Sequence, residues 1–297
     1  MSAIESDVGA LPGIGADAPS VHTGTVQAGP IPVRRRGFRP RSSPAARLVS
    51  PIVVLIVWQL THVFKLISES KLPPPSMVAS TAYNLIVHPT PAFGSLQGAM
   101  LVSCERFALG FFFGGLVALI LALTAGLHRV GEAAIDPLAQ IIRTLPLFGL
   151  IPVFIIWFGI GMLPKVILVG IGAGVPLYLN TYAGIRSIDG RFFELAQVLH
   201  MNRRELFLNV IVPGALPTAL VGLRQSLGAA WLSLVVAEQI AANQGLGFMI
   251  NQAQNFLRND VIMCALFVYA LLGLLTDWVV RVIERRALAW RTDLVIR

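Results

Sequence analysis

Two charged side chains inside long apolar runs are the residues of this sequence best placed to bind a solute. The guanidinium of Arg143 offers two parallel hydrogen bonds, a geometry that suits the oxygens of a small oxyanion. Glu238 lies in another apolar run, about 21 Å along a helix from Arg224, so these two residues cannot pair. A charge at this depth costs several kcal/mol unless it is paired or faces water. Arg143 and Glu238 therefore either line a translocation path or act as structural pairs and interfacial anchors.

The sequence lacks the patterns required for ATP hydrolysis, zinc catalysis or serine hydrolysis. None of its three lysines follows a glycine, so there is no phosphate-binding loop of the form Gly-x-x-x-x-Gly-Lys. The five histidines form no His-Glu-x-x-His pattern, and no Gly-x-Ser-x-Gly occurs. Cys104 and Cys264 are isolated in apolar runs, which is typical of core thiols rather than a metal site or a disulfide. We expect no enzyme activity, no metal site and no cofactor.

The composition is that of an integral membrane protein. Of the 297 residues, 55% are hydrophobic and only 13% are charged, whereas soluble domains carry about 25% charged residues. The net charge of +8 comes mostly from arginines beside the apolar runs. Positive charge in that position favours contact with membrane lipid over nucleic acid binding.

Six apolar runs are long enough to cross a bilayer, which takes roughly 20 residues of helix. With the amino terminus inside, 16 of the 23 basic residues fall on the cytoplasmic side, which places both termini in the cytoplasm. We interpret the first run as an uncleaved span rather than a removed export signal. The expected domains are a disordered cytoplasmic tail at 1–44, an all-α, multi-pass transmembrane domain at 45–290 and a cytoplasmic tail at 291–297. The six spans are predicted near residues 46–66, 100–125, 134–159, 165–186, 214–240 and 261–283.

A polar loop, residues 187–212, separates the fourth and fifth runs. Phe192 to Leu199 has the pattern of a short helix, and Asn202 with Glu205 forms a capping box that begins a second one. Two short basic helices can also form a DNA-binding helix-turn-helix, but both ends of this loop are tethered to the bilayer. The loop is either a solvated re-entry segment or the place where a soluble protein grips the membrane domain.

Other charges and glycines predict contacts inside the helical bundle. Asp277 is expected to pair with Arg281 one turn later, and Asp136 with a cytoplasmic arginine. Glycines spaced four residues apart predict close helix contacts without showing which helices meet. These are Gly110 with Gly114, and Gly170 with Gly174.

The loop resembles the cytoplasmic signature of permease subunits of binding-protein-dependent ABC importers. That signature runs Glu-Ala-Ala, three residues, Gly, and then a stretch ending in Leu-Pro; here Glu194 and Ala196 match, His200 replaces the glycine, and Leu216-Pro217 ends the pattern. The resemblance covers roughly residues 45–290. Over this range the sequence is similar to the branch that imports aliphatic sulfonates, taurine or nitrate. Its other segments include Leu72-Pro-Pro-Pro-Ser76, Ile156-Trp-Phe-Gly-Ile-Gly161, Val235-Val-Ala-Glu-Gln239 and Gly245-Leu-Gly247.

The resemblance implies a type I importer permease fold in which the first loop helix docks on an ATP-hydrolysing subunit. Glu194 would make a charged contact there, and Ala196 would allow close approach. His200 stands at the position of a glycine that permits a left-handed turn. A histidine in that conformation costs on the order of 1 kcal/mol. The coupling residues implied are Glu194, Ala196, Leu199, His200, Met201 and Asn202.

The resemblance also implies a set of partners. These are two copies of the ABC ATPase subunit, which would bind the ATP, a second copy of this chain, and a periplasmic or lipoprotein substrate-binding protein. The expected cargo is a small anionic solute, with aliphatic sulfonates placed before taurine, nitrate or another small solute. A stand-alone channel or an ion-coupled carrier is the alternative, but it would need a carboxylate relay or inverted repeats.

Overall fold

The computed structural model describes residues 44–290, with side chains from Val49 onward except at position 241. The predicted tails, 1–44 and 291–297, lie outside the described residues apart from position 44. Within the described range the chain is helical and has no β-strand, which confirms the all-α prediction. The helices are α1 (Pro44–Val63), α2 (Pro75–Val87), α3 (Leu96–Leu127), α4 (Arg129–Thr144), α5 (Ile151–Phe158), α6 (Leu163–Arg186), α7 (Gly190–Val198), α8 (Arg203–Leu206), α9 (Val212–Ala241), α10 (Leu246–Asn255) and α11 (Asn259–Ala287).

Four helical segments of the described chain are long and apolar enough to cross a membrane. They are α3, α6, the continuous segment Arg203–Ile240 that contains α9, and α11. The predicted span at 134–159 is instead a bent pair, α4 and α5, with an angle of 93° between its two halves. The bend falls at Leu145–Pro146, because the proline ring disfavours a helical conformation in the preceding residue. The remaining predicted span coincides with α1, whose described apolar part, Val49–Val63, is shorter.

Two short helices pack against the end of the bundle opposite the 187–212 loop. The segment from Ser76 to Val87 has the spacing of a short amphipathic helix, which the structure confirms as α2. This helix begins with Pro75 in its first turn and buries Val78 and Leu85 against α11. Its Thr81 hydroxyl donates a hydrogen bond of 2.8 Å to the buried Asp260 carboxylate at the start of α11. The second helix, α10, is absent from the sequence prediction. It buries one apolar face against α9 and α11, formed by Leu246, Met249, Ile250 and Ala253.

The paired glycines lie at the contact between α3 and α6. A Cβ atom added to Gly114 would overlap the backbone of Gly170, and one added to Gly110 would overlap Val169. Gly174 faces the Gly114 carbonyl across the same contact. The two helix backbones therefore touch directly, which identifies the helix pair that the spacing left open.

We expect Gly114→Ala to destabilise the chain by about 1–3 kcal/mol, because backbone atoms of α6 cannot yield to the new methyl group. The adjacent Gly115 is the matched control, since its added Cβ would lie 3.5 Å from the Leu177 side chain, an ordinary contact. Thermal unfolding of both variants in detergent checks this. Equal melting temperatures would show that the α3–α6 contact is not tight.

Candidate functional site

The 187–212 loop folds into the two short helices that the sequence predicts. The Asp189 side chain caps α7 by accepting a hydrogen bond of 3.0 Å from the amide of Arg191. The predicted capping box at the start of α8 is confirmed: the Asn202 amide donates to the Glu205 carboxylate, and the Glu205 amide donates to the Asn202 side chain, each at 2.9 Å. The loop therefore has defined ends rather than an irregular course.

His200 adopts the left-handed turn that the resemblance assigns to a glycine, with φ of +51°. The turn closes α7 as a Schellman motif. The Met201 amide donates to the Ala196 carbonyl, and the His200 amide donates to the Gln197 carbonyl, both at 3.0 Å. His200 thus adopts the left-handed turn expected of the glycine. A histidine in this conformation costs on the order of 1 kcal/mol.

The loop joins α9 without a break in the helix. A π-helical turn, Phe207–Ile211, follows α8 and leads directly into α9. Phe207 and Phe193 of the loop pack against a small buried cluster formed by Ile185, Ile211 and Ala215. These contacts connect the loop directly to α9 and to the end of α6.

The exposed side of α7 is apolar and bordered by charge. Val198 is 73% exposed and Leu195 is 53% exposed, and these two residues share one helix face. Glu194, also exposed, lies one turn from Val198. Ala196 is buried within the chain, so its small side chain packs on the inner side of the loop. An exposed apolar face on a polar loop is typical of a protein contact surface.

We expect His200→Gly to stabilise the protein by about 1 kcal/mol, because glycine adopts the left-handed turn without steric cost. His200→Val should have the opposite effect, since a β-branched side chain is strained at positive φ. Thermal melting and amide hydrogen exchange at Met201 report the effect. A histidine at least as stable as glycine here would mean that the turn carries no strain.

Glu238 lies at the centre of a buried polar cluster, and its side chain is fully enclosed. Its carboxylate accepts hydrogen bonds from the Ser103 hydroxyl at 2.7 Å, the Arg106 guanidinium at 2.6 Å, the Gly247 amide at 2.9 Å and the Tyr269 hydroxyl at 2.9 Å. The cluster thereby joins α3, α9, α10 and α11. Of the alternatives that the sequence left open for Glu238, this geometry favours the structural pair over the path.

The Gly245-Leu-Gly247 segment wraps closely around the Glu238 carboxylate. Gly245 has φ of +113°, and an added Cβ would lie 2.5 Å from a Glu238 carboxylate oxygen. The Leu246 amide donates to the Ser103 hydroxyl at 2.9 Å. These two glycines are needed because the backbone itself approaches the carboxylate. Sequence reasoning missed Arg106 as the partner. The available signal was one charge of each sign with no opposite charge three or four residues away in its own span.

The predictions for the other charged residues in the spans differ in how they compare with the structure. Arg143 is exposed in the last turn of α4, beside the bend, and its place on the path stays a prediction. Among the described residues the Asp136 carboxylate accepts from the Tyr178 hydroxyl, at 3.5 Å, and its pairing with a cytoplasmic arginine stays a prediction. The nearby arginine, Arg186, instead contacts Glu132 at 3.2 Å, one turn earlier on α4.

The predicted pairing of Asp277 with Arg281 is confirmed at 2.7 Å. The same carboxylate also accepts from the Nε of Arg224 on α9, at 3.1 Å. The charged group on these two helices is thus larger than the local pair that the sequence indicated.

We expect Glu238→Ala to cost about 3–5 kcal/mol, because it leaves the buried Arg106 charge without its partner. Glu105→Ala is the control, since Glu105 is the exposed neighbour of Arg106 on the same helix. Yield and melting temperature in detergent measure both. A Glu238→Ala variant as stable as Glu105→Ala would show that the cluster does not hold the bundle together.

This fold, with its long apolar helices, enclosed charges and one ordered polar loop, defines a multi-pass helical membrane protein. Residues 114–288 match the family described as binding-protein-dependent transport system inner membrane component. The chain therefore belongs to that family, the permease subunits of ABC importers, and is a multi-pass inner-membrane protein.

Its similar relatives come from the sulfonate, taurine and nitrate branch. A putative aliphatic sulfonates transport permease protein of Escherichia coli is 41% identical, over 81% of this chain and 89% of the relative. One of the same description from Bacillus subtilis is 37% identical, over 88% and 93%. An E. coli taurine transport system permease protein is 33% identical, over 81% and 88%.

Solved structures confirm the fold. An amino acid ABC transporter crystallised with histidines has a TM-score of 0.55 at 20% identity, covering 71% of this chain and 97% of that one. The chain thus has the type I permease fold.

Proposed function

We propose that this chain is the transmembrane subunit of an ATP-driven importer that moves small anions, first of all aliphatic sulfonates, by alternating access. The observation that carries the proposal is the exposed apolar face of α7, formed by Leu195 and Val198, on the loop that bears the family signature. The sulfonate relatives, at 37% and 41% identity, support aliphatic sulfonates over the more distant taurine and nitrate permeases. Taurine, nitrate or another small solute is the alternative cargo.

In this proposal the 187–212 loop couples the ATPase to the membrane helices. The face of Leu195 and Val198 docks in a groove of the ATPase subunit, and Glu194 makes a charged contact at its edge. Ala196 anchors the helix from the inner side, so the loop moves as one body. Since α8 runs through a π-turn into α9, a shift of the loop tilts α9 rather than bending a hinge.

The assembly follows from what the chain lacks. Its sequence has no phosphate-binding loop, so the ATP is bound by the partner ATPase subunit. Each chain offers one docking loop, which fits two ATPase subunits on a homodimer embedded in membrane lipid. In this proposal the loop and both termini face the cytoplasm, which the excess of basic residues on that side supports, and α2 and α10 face the external substrate-binding protein.

We expect Leu195→Asp to reduce ATP-driven uptake about tenfold or more, because docking would desolvate the new carboxylate. Gln197→Asp, an exposed position on the same helix, places the same charge away from the apolar face and is the control. The measurement is ethanesulfonate uptake by proteoliposomes that contain the chain, its ATPase and its binding protein.

Three results would each overturn part of the proposal. Normal uptake by Leu195→Asp would remove this face from the docking surface. Uptake that persists without ATP would favour an ion-coupled carrier or a channel. Absence of ethanesulfonate uptake alongside ATP-driven uptake of taurine or nitrate would change only the assigned cargo.

A further inference from the structure

A second group of charged side chains in the bundle is partly exposed, whereas the Glu238 cluster is buried. Arg224 on α9 and Asp277 and Arg281 on α11 form it, with contacts of 3.1 and 2.7 Å to the shared carboxylate. Their side chains remain 43%, 29% and 56% exposed, respectively. Two guanidinium groups share one carboxylate, so the group carries an excess positive charge.

The Arg224–Asp277 contact lies inside two of the predicted spans, 214–240 and 261–283. Asp277 is ten residues, or about 15 Å, from the end of α11 at Ala287. On α9, Gly222 packs against Asn180, which is about 9 Å inside the end of α6. The hydrocarbon core is only about 30 Å thick, so exposed charges at this depth must meet water or another polar surface.

Asp277 lies on a different face of α11 from the side that we expect to face lipid. That side exposes Leu271, Leu274, Leu275 and Trp278, an apolar set suited to acyl chains. The charged face continues in polar groups, since the Asn180 side-chain amide donates to the Gln225 side chain at 3.0 Å. Polar groups on three neighbouring helices, α6, α9 and α11, thus share one surface.

Open space adjoins the charges on both helices. One turn beyond Arg224 is Gly228, and one turn before Asp277 in sequence is Gly273. A Cβ atom added to either glycine would meet nothing within 4 Å. Open space, referred to below as the gap, therefore lies one helical turn from Arg224 on α9 and one turn from Asp277 on α11. Among the hydrogen bonds of the described residues, Nε of Arg224 donates to Asp277, and its two terminal amino groups have no acceptor.

We propose that Arg224 is an anion-binding position on the translocation path, oriented by Asp277 and reached through the gap at Gly228 and Gly273. Its free amino groups present the paired donors that a sulfonate or nitrate oxyanion accepts. Asp277 neutralises part of the charge, so a passing anion binds weakly enough to leave again. The inference rests on the proposed function, since it names the site through which that cargo would pass.

The first test measures whether water and anions reach the gap. Gly228→Cys is introduced after replacing the native thiols (Cys104→Ser, Cys264→Ala), and the assembled complex in membranes is treated with two methanethiosulfonate reagents. One reagent is an anionic sulfonate and the other a quaternary ammonium cation. Leu271→Cys, at similar depth on the lipid-facing side, is the control.

We expect Gly228→Cys to react, with a preference for the anionic reagent, and Leu271→Cys to stay inert. Adding Arg224→Gln should reduce the ratio of anionic to cationic rates about tenfold, because it removes one unit charge a helical turn away. An inert Gly228→Cys would mean that lipid or the second copy covers the gap, and the proposal would fail. A ratio unchanged by Arg224→Gln would equally remove Arg224 as an anion site.

The second test compares uptake by Arg224→Gln with uptake by Asp277→Asn. The two effects differ if Arg224 is an anion site and agree if the pair is only structural. If Arg224 binds the cargo, Arg224→Gln lowers ethanesulfonate uptake about tenfold. Asp277→Asn leaves uptake within about threefold and lowers KM, because the positive charge is no longer offset. If the pair is only structural, both changes impair uptake alike. Arg129→Gln, an exposed arginine at the start of α4, is the control and should transport normally.

These outcomes are distinguishable from a failure of the proposed function. The thiol reactions need neither ATP nor a known cargo, whereas a native complex without ATP-driven uptake would refute the importer function itself. A reactive Gly228→Cys in such a complex would still support an anion-accessible gap.

Discussion

The high cost of placing charge in hydrocarbon governs how this bundle is built. One charged group meets that cost by closure: Glu238 accepts four hydrogen bonds and is sealed between α3, α9, α10 and α11. The other, around Asp277, is paired but still open to the surface of the chain. The Glu238 cluster is therefore structural, and the Asp277 group is the candidate transport site. The two groups differ in the exposure of their side chains rather than in residue type.

The 187–212 loop is held in shape by a different set of interactions. Its stiffness comes from local hydrogen bonds, namely the cap at Asp189, the Schellman turn at His200 and the capping box of Asn202 with Glu205. Retention of a left-handed turn by a histidine shows that the surrounding contacts outweigh a backbone cost on the order of 1 kcal/mol. A loop of this stiffness can pass a displacement into α9.

Features set by nearby residues were the ones that the sequence predicted well. The capping box, the short helix α2 and the Asp277–Arg281 pair each depend on residues within one or two turns of one another. The partner of Glu238 could not be predicted, because Arg106 is more than 130 residues away and only the packing of α3 on α9 brings them together. The sequence prediction did not include α10. Its apolar i, i+3, i+4, i+7 pattern is short and is interrupted by the Asn and Gln residues of its polar face. Pro137, Pro146 and Pro152 in the third run indicate an interrupted helix, but no local pattern gives the angle of 93°.

In the proposed function, this chain passes the energy of a partner's ATP hydrolysis to its own membrane helices. The most direct measurement is the ATPase rate of the purified complex in liposomes, with and without its binding protein loaded with ethanesulfonate. We predict that loaded binding protein on the outer face accelerates hydrolysis several-fold, while the same protein without ligand has a smaller effect. A rate that is indifferent to the binding protein, in a complex that is otherwise intact, would contradict coupling through this chain.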